Sequence, residues 1–176
     1  SDAERVVREV ERLVDTTRKL VKKVVEDIRR VVETAKRDLD RVVKRSEDVV
    51  REVKKLIEEG VREEEIKKIL DEIRKETKDV ERKIKKILDD IRKKVEKVTE
   101  EIKDVNRKTK EIVDRAKDRI DDRVIKLVRK LNKDSERKLR EVRDRVERVI
   151  EEVEKRLREV KERSKETIED VERARK

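Results

Sequence analysis

The chain has no cysteine, histidine, proline, methionine or aromatic residue, and one glycine in 176 positions. Each absence closes a class of chemistry. Without cysteine there is no disulfide, no thiolate nucleophile and no sulfur-ligated metal. Without histidine the commonest general base and metal ligand is missing. Without aromatics there is no platform on which nucleic-acid bases stack. No run of apolar residues exceeds two, so no segment reads as a membrane span. The first residues, SDAERVV, are charged from the second position and carry no apolar core of a signal peptide.

What is present is charge and aliphatic side chains. Charged residues make up 60% of the chain and apolar residues 32%. Such a composition would ordinarily read as disorder. Here the apolar residues are Val, Ile and Leu, and they recur at steps of three or four. That spacing lays them on one face of long helices. The 58 basic and 48 acidic residues leave a net charge of +10, but acids and bases are interleaved, so no purely basic face emerges.

Helix boundaries follow from punctuation. Ser1 and Glu4 fit a capping box at the first start. The first stripe runs unbroken from Val6 to Ile57 and stops before Gly60. Glycine adopts the left-handed conformation that ends a helix without steric cost. After it come Val61, Arg62 and three glutamates, acids suited to the positive end of a helix dipole. Val61 and Ile66 have the spacing of a hydrophobic staple around Arg62. The second stripe runs from Ile66 to Leu131 and meets Asn132-Lys133-Asp134-Ser135. Asn is suited to the left-handed position after a helix, and Asp134 or Ser135 to capping the next one.

This reading gives an all-α, elongated, antiparallel three-helix bundle, up-down-up, spanning residues 1–176 as one domain. The helices cover about 2–59, 62–131 and 135–175, long, nearly straight and unequal at roughly 58, 70 and 42 residues. A four-helix alternative, with a start at Ser46-Glu47-Asp48, would bury the only glycine inside a helix, at a cost of about 1 kcal/mol.

Setting the stripes in register across both loops groups the polar residues that occupy core positions. Thr17, Asn106 and Ser164 fall in one layer, and Ser46 faces Thr77 in another. Buried polar layers fix register and partner choice at some cost in stability. The wetted rim of a bundle is the other place such residues can sit. A short third helix would leave a hairpin of about residues 29–94 uncovered, with Lys176 beside Lys94. Its apolar strip then becomes the expected interface. It comprises Val31, Val32, Val42, Val43, Val49 and Val50 on the first helix, and Ile69, Leu70, Ile87 and Leu88 on the second. An exposed strip of that length marks an interaction site. Two such hairpins related by a two-fold axis would close a four-helix bundle. A helix from a different chain is the alternative occupant.

Aliphatic-only stripes, Glu/Lys/Arg elsewhere, the segments EEGVREEEI and LNKDSERKL, and polar layers in a Val/Ile/Leu core together resemble computationally designed helical bundles. The resemblance covers the whole chain and rests on style rather than on one diagnostic motif. It implies a scaffold, a self-assembling unit or a programmed interaction partner, with no enzyme activity, catalytic residue, cofactor or metal. It also implies soluble recombinant expression in the cytoplasm, with no natural location. The expected partner is the chain itself, a dimer first, or a partner helix. No membrane or small-molecule substrate is expected. Nucleic acid would be attracted only incidentally, through runs such as Lys83-Ile84-Lys85-Lys86 and Arg92-Lys93-Lys94. The acid pairs Asp89-Asp90 and Asp121-Asp122 do not converge when helical, because adjacent side chains point about 100° apart.

Overall fold

A computed structural model describes residues 2–60 and 62–175. It contains three α-helices: α1 (Asp2–Glu58), α2 (Glu63–Ala116) and α3 (Asp122–Ala174). Among the described residues there is no strand. The proposed roles of Ser1 in a capping box, of Val61 in a staple and of Lys176 beside Lys94 lie outside the described residues. The chain divides into two compact units. One comprises Ser1–Arg29 with Asp90–Arg148, the other Arg30–Asp89 with Val149–Lys176. Each draws on all three helices.

The first turn forms as the glycine requires. Gly60 has a φ of 76° and its N–H donates to the Ile57 carbonyl at 3.2 Å. This is the bond from the residue after the cap to the second-last helical carbonyl in a Schellman closure. A Cβ built on Gly60 would meet nothing within 4 Å. The positive φ, not crowding, is therefore what selects glycine. On the far side the Arg62 carbonyl accepts from Glu65 N–H at 3.1 Å, and Glu63, Glu64 and Glu65 fill the first turn of α2.

The second turn is not where the punctuation put it. Helix α2 ends at Ala116, and Asn132-Lys133-Asp134-Ser135 lies inside α3. Helices 2 and 3 therefore span 54 and 53 residues, close to the 57 of α1. The helix start is Asp121. Its carbonyl accepts from Val124 N–H at 3.0 Å, and its Oδ1 lies 3.5 Å from the Arg123 nitrogen. That is N-cap geometry on a strongly preferred N-cap residue. Ile120 before the cap and Ile125 five residues on belong to one cluster, as a hydrophobic staple does.

The first unit centres on Val6, Val10, Val113, Ala116, Ile125 and Val128, with Ile120 and Val124 packed against them. In the second, Val49, Val53, Ile66, Leu70, Ile73 and Val171 form a cluster, drawn from all three helices. The ion pairs there show the register. Lys36–Glu152, Asp40–Arg156 and Glu47–Arg163 are each separated by 116 residues, so α1 and α3 run parallel. Asp38–Lys83 and Arg45–Glu76 link α1 to an antiparallel α2.

Candidate functional site

The polar positions of the stripes gather into two layers, and the corrected loop changes their membership. In the second unit Thr77 Oγ1 hydrogen-bonds Ser164 Oγ at 2.9 Å, joining α2 to α3. Thr77 Oγ1 also lies 2.9 Å from the Ile73 carbonyl oxygen. With one hydrogen on each hydroxyl, the pair satisfies both contacts. Ser46, 3% exposed, lies on α1 between Arg45 and Glu47, whose ion pairs with Glu76 and Arg163 put it at the level of Thr77 and Ser164. The layer is thus Ser46, Thr77 and Ser164, not Ser46 and Thr77 alone.

Ser164 consequently leaves the grouping expected with Thr17 and Asn106. Its counterpart in the first unit is Ser135, which is buried and lines one depression with Thr17. The sequence had assigned Ser135 to a cap; inside α3 it faces the core. Thr17 is buried and donates to the Leu13 carbonyl at 3.2 Å, and Asn106 is half-buried. The two layers are related by a shift of 29 residues on every helix: Thr17 to Ser46, Thr77 to Asn106, Ser135 to Ser164. Twenty-nine residues make about eight turns, which returns each position to the same helix face.

Two further buried threonines bond along their own helix, as Thr17 does, unlike the hydroxyl bond between helices that joins Thr77 to Ser164. Thr99 and Thr109 donate to the Val95 and Val105 carbonyls of their own helix. Local back-bonding satisfies a hydroxyl without linking helices.

The layer geometry yields a prediction. Ser164→Ala strands the bond between α2 and α3 and lowers stability by about 1 kcal/mol. Combining it with Thr77→Val, which replaces both partners by apolar groups, recovers most of that loss or more. Urea denaturation of the two single variants and the double variant checks this. Losses that simply add would show that the hydroxyls do not act as a pair.

The apolar strip expected as an interface is covered. Val32, Val42, Val49, Leu70 and Leu88 are buried within the chain, and Val31, Val43, Val50, Ile69 and Ile87 are half-buried. The covering element is α3, which continues to Ala174 and brings Val171 into their cluster. The open groove followed from a third helix of roughly 42 residues. With 53 residues in α3, that groove is filled.

Two charged features went unread in the sequence. Asp38 is 8% exposed, with Lys83 Nζ 2.6 Å from its Oδ2. It lies one position before Leu39, between Ala35 and Val42 on the core face. That placement was the signal available. Glu81 receives hydrogen bonds from Lys85 at 2.8 Å and Lys161 at 3.2 Å. These bonds, Lys85 first and then Lys161, hold its carboxyl below the ordinary 4.5.

A computationally designed three-helix bundle shares this fold. The match covers 97% of this chain and 90% of that one, with a TM-score of 0.66 and 18% sequence identity. No protein-family model matches the chain, and no curated protein matches it significantly. At that identity the likeness establishes the three-helix bundle and nothing finer.

No cluster of three or more potential metal ligands exists among the described residues, and no helix is long and apolar enough to cross a membrane. Two lysines of the first basic run pair with acids: Lys83 with Asp38, Lys85 with Glu81. The depressed Glu81 value gives a pH test. A lowered folded value contributes stability that is present above the ordinary value and lost as pH falls through the folded one. The stability difference between the wild type and Glu81→Gln therefore stays constant near neutrality and shrinks below about pH 4. Denaturation midpoints across that range read it. A difference independent of pH would remove the carboxylate from the account.

Proposed function

We propose that the chain is a designed structural protein: a helical bundle with no catalytic activity, working by association with copies of itself. The observation that carries this reading is the pair of polar layers. Each takes one residue from each helix, in a core built mainly from Val, Ile, Leu and Ala, and the two repeat at 29 residues. A single buried polar layer fixes register at a cost in stability. Two equivalent layers in a chain without aromatics, histidine or cysteine fit deliberate specification of one packing arrangement. The fold shared with a designed bundle supports the same origin. Its work is then burial of aliphatic surface, at roughly 25 cal/mol per Å², with the polar layers setting alignment. A surface dominated by mixed charge supports solubility.

The test is molar mass by sedimentation equilibrium over a wide concentration range at moderate salt, beside thermal unfolding followed by circular dichroism. Cooperative unfolding of a wholly helical chain, with a mass rising toward two chains, is the expected result. Cooperative unfolding with the mass of one chain throughout would keep the bundle and remove the association.

A further inference from the structure

The first unit carries a groove between α1 and α3, along a seam that ion pairs bridge in the second unit. Two depressions of about 420 and 310 Å³ run along it. They share Val14, Arg18 and Leu131, so they form one continuous trough. Its walls include Val7, Val14 and Val21, spaced by heptads on α1, and Leu127 and Leu131 on α3. Leu127 is 46% exposed, and among the described residues it is the large hydrophobic side chain left open to solvent.

The 29-residue shift supplies an internal control. In the second unit Lys36–Glu152, Asp40–Arg156 and Glu47–Arg163 bridge α1 and α3. The equivalent positions of the first unit hold Val7 and Arg123, Glu11 and Leu127, Arg18 and Asp134. Two of the three bridging pairs have thus become half-apolar. A surface meant only for water has no use for leucine and valine where the sister seam carries arginine and lysine.

We propose that this seam, residues 7–22 of α1 against 124–138 of α3, is the surface on which a second copy of the chain docks. The proposal rests on the self-association reading and supplies its surface. The argument for a second copy is self-complementarity. Leu127 lies exposed at one end of the trough, beside the acids Glu11 and Asp15. The other end is a depression lined by Val14, Val21 and Leu131, flanked by Lys22, Arg137 and Lys138 against the single acid Asp134, 3.5 Å from Arg137, while Arg18 lies at the shared middle. A two-fold axis across the shared middle seats each Leu127 in the other copy's depression. It also lays each acidic end on a basic one. Isologous contacts have this property, with a feature and its complement on one patch. The two opposed pairs of helices then pack as a four-helix arrangement.

Sedimentation equilibrium on the full chain tests the surface. Leu127→Arg copies the residue of the sister seam at an exposed position, so the fold is retained, as circular dichroism verifies. It is expected to weaken dimerisation at least tenfold. Lys22→Glu with Lys138→Glu weakens it too, and an equimolar mixture with a Glu11→Lys, Asp15→Lys chain restores a two-chain mass. Dimers indifferent to all these changes would overturn the seam while leaving self-association intact. One-chain mass for the wild type at every concentration would overturn both, and a helix of a different chain would become the occupant to seek.

Discussion

Lys133→Pro lowers the stability of the chain by about 3 kcal/mol or more, whereas Asp122→Pro changes it by less than about 1 kcal/mol. The contrast follows from where α3 begins. Lys133 lies well inside α3, which starts at Asp122. A proline there removes a backbone bond to the carbonyl four residues earlier, and its ring clashes with that carbonyl. At Asp122 the cost disappears. The first helical N–H has no partner within the helix, and proline's φ already suits that position. Proline also pushes the preceding residue toward extended conformation, which is what an N-cap such as Asp121 adopts. Urea denaturation of the two variants, with far-ultraviolet circular dichroism for helix content, gives the answer. Were the turn at Asn132–Ser135, the order would reverse, because Asp122 would then sit deep inside the second helix.

That reversal shows what the sequence could and could not convey. The all-α class and the helical stripes were legible because Val, Ile and Leu recur at helical spacing without aromatic or proline interruption. The first turn was legible because Gly60 is the residue that accepts a φ of 76° cheaply. The pairings of Thr17 with Asn106 and of Ser46 with Thr77 depend on that turn alone and so do not move with the second one. The second turn was hidden by the stripe itself. Ala116, Ile120 and Val124 keep steps of four straight through it, so periodicity shows no break. Asn132, Asp134 and Ser135 meanwhile offered genuine capping chemistry at a site that stays helical. Local preference there amounts to about 1 kcal/mol, while the placement of α3 decides whether a long aliphatic strip is buried. Burial wins. The overlooked signal was Ile120-Asp121 with Ile125, a preferred cap inside a staple. Missing it moved Ser164 to the wrong layer, made Ser135 a cap candidate and opened a groove that α3 fills. The exposed Leu127 and the seam around it were unreadable for the same reason, since they were placed near the end of the wrong helix.

Leu70→Ala costs about 2–5 kcal/mol, and the cost is independent of protein concentration. Leu70 is 1% exposed and belongs to the cluster of Val49 and Val53 from α1, Ile66 and Ile73 from α2 and Val171 from α3. Truncation to alanine removes buried methyl and methylene groups and leaves a cavity that long helices, held along their lengths, close only in part. The concentration test matters because Leu70 was an expected interface residue. An interface residue reports its loss through dimer dissociation, so its effect grows on dilution. A residue packed under α3 reports the same loss at every concentration. Val171→Ala provides the complement from the other helix. Residues of one cluster couple, so the double variant should depart from additivity by about 0.5–3 kcal/mol. Strict additivity, together with a Leu70→Ala loss that grows on dilution, would mean that α3 does not cover this strip. Ser164 in a layer with Thr77, Val171 over Leu70 and the Glu172–Arg74 pair at 3.3 Å all depend on one placement of α3. The cycle therefore probes the register of that helix more directly than any single substitution in the polar layers.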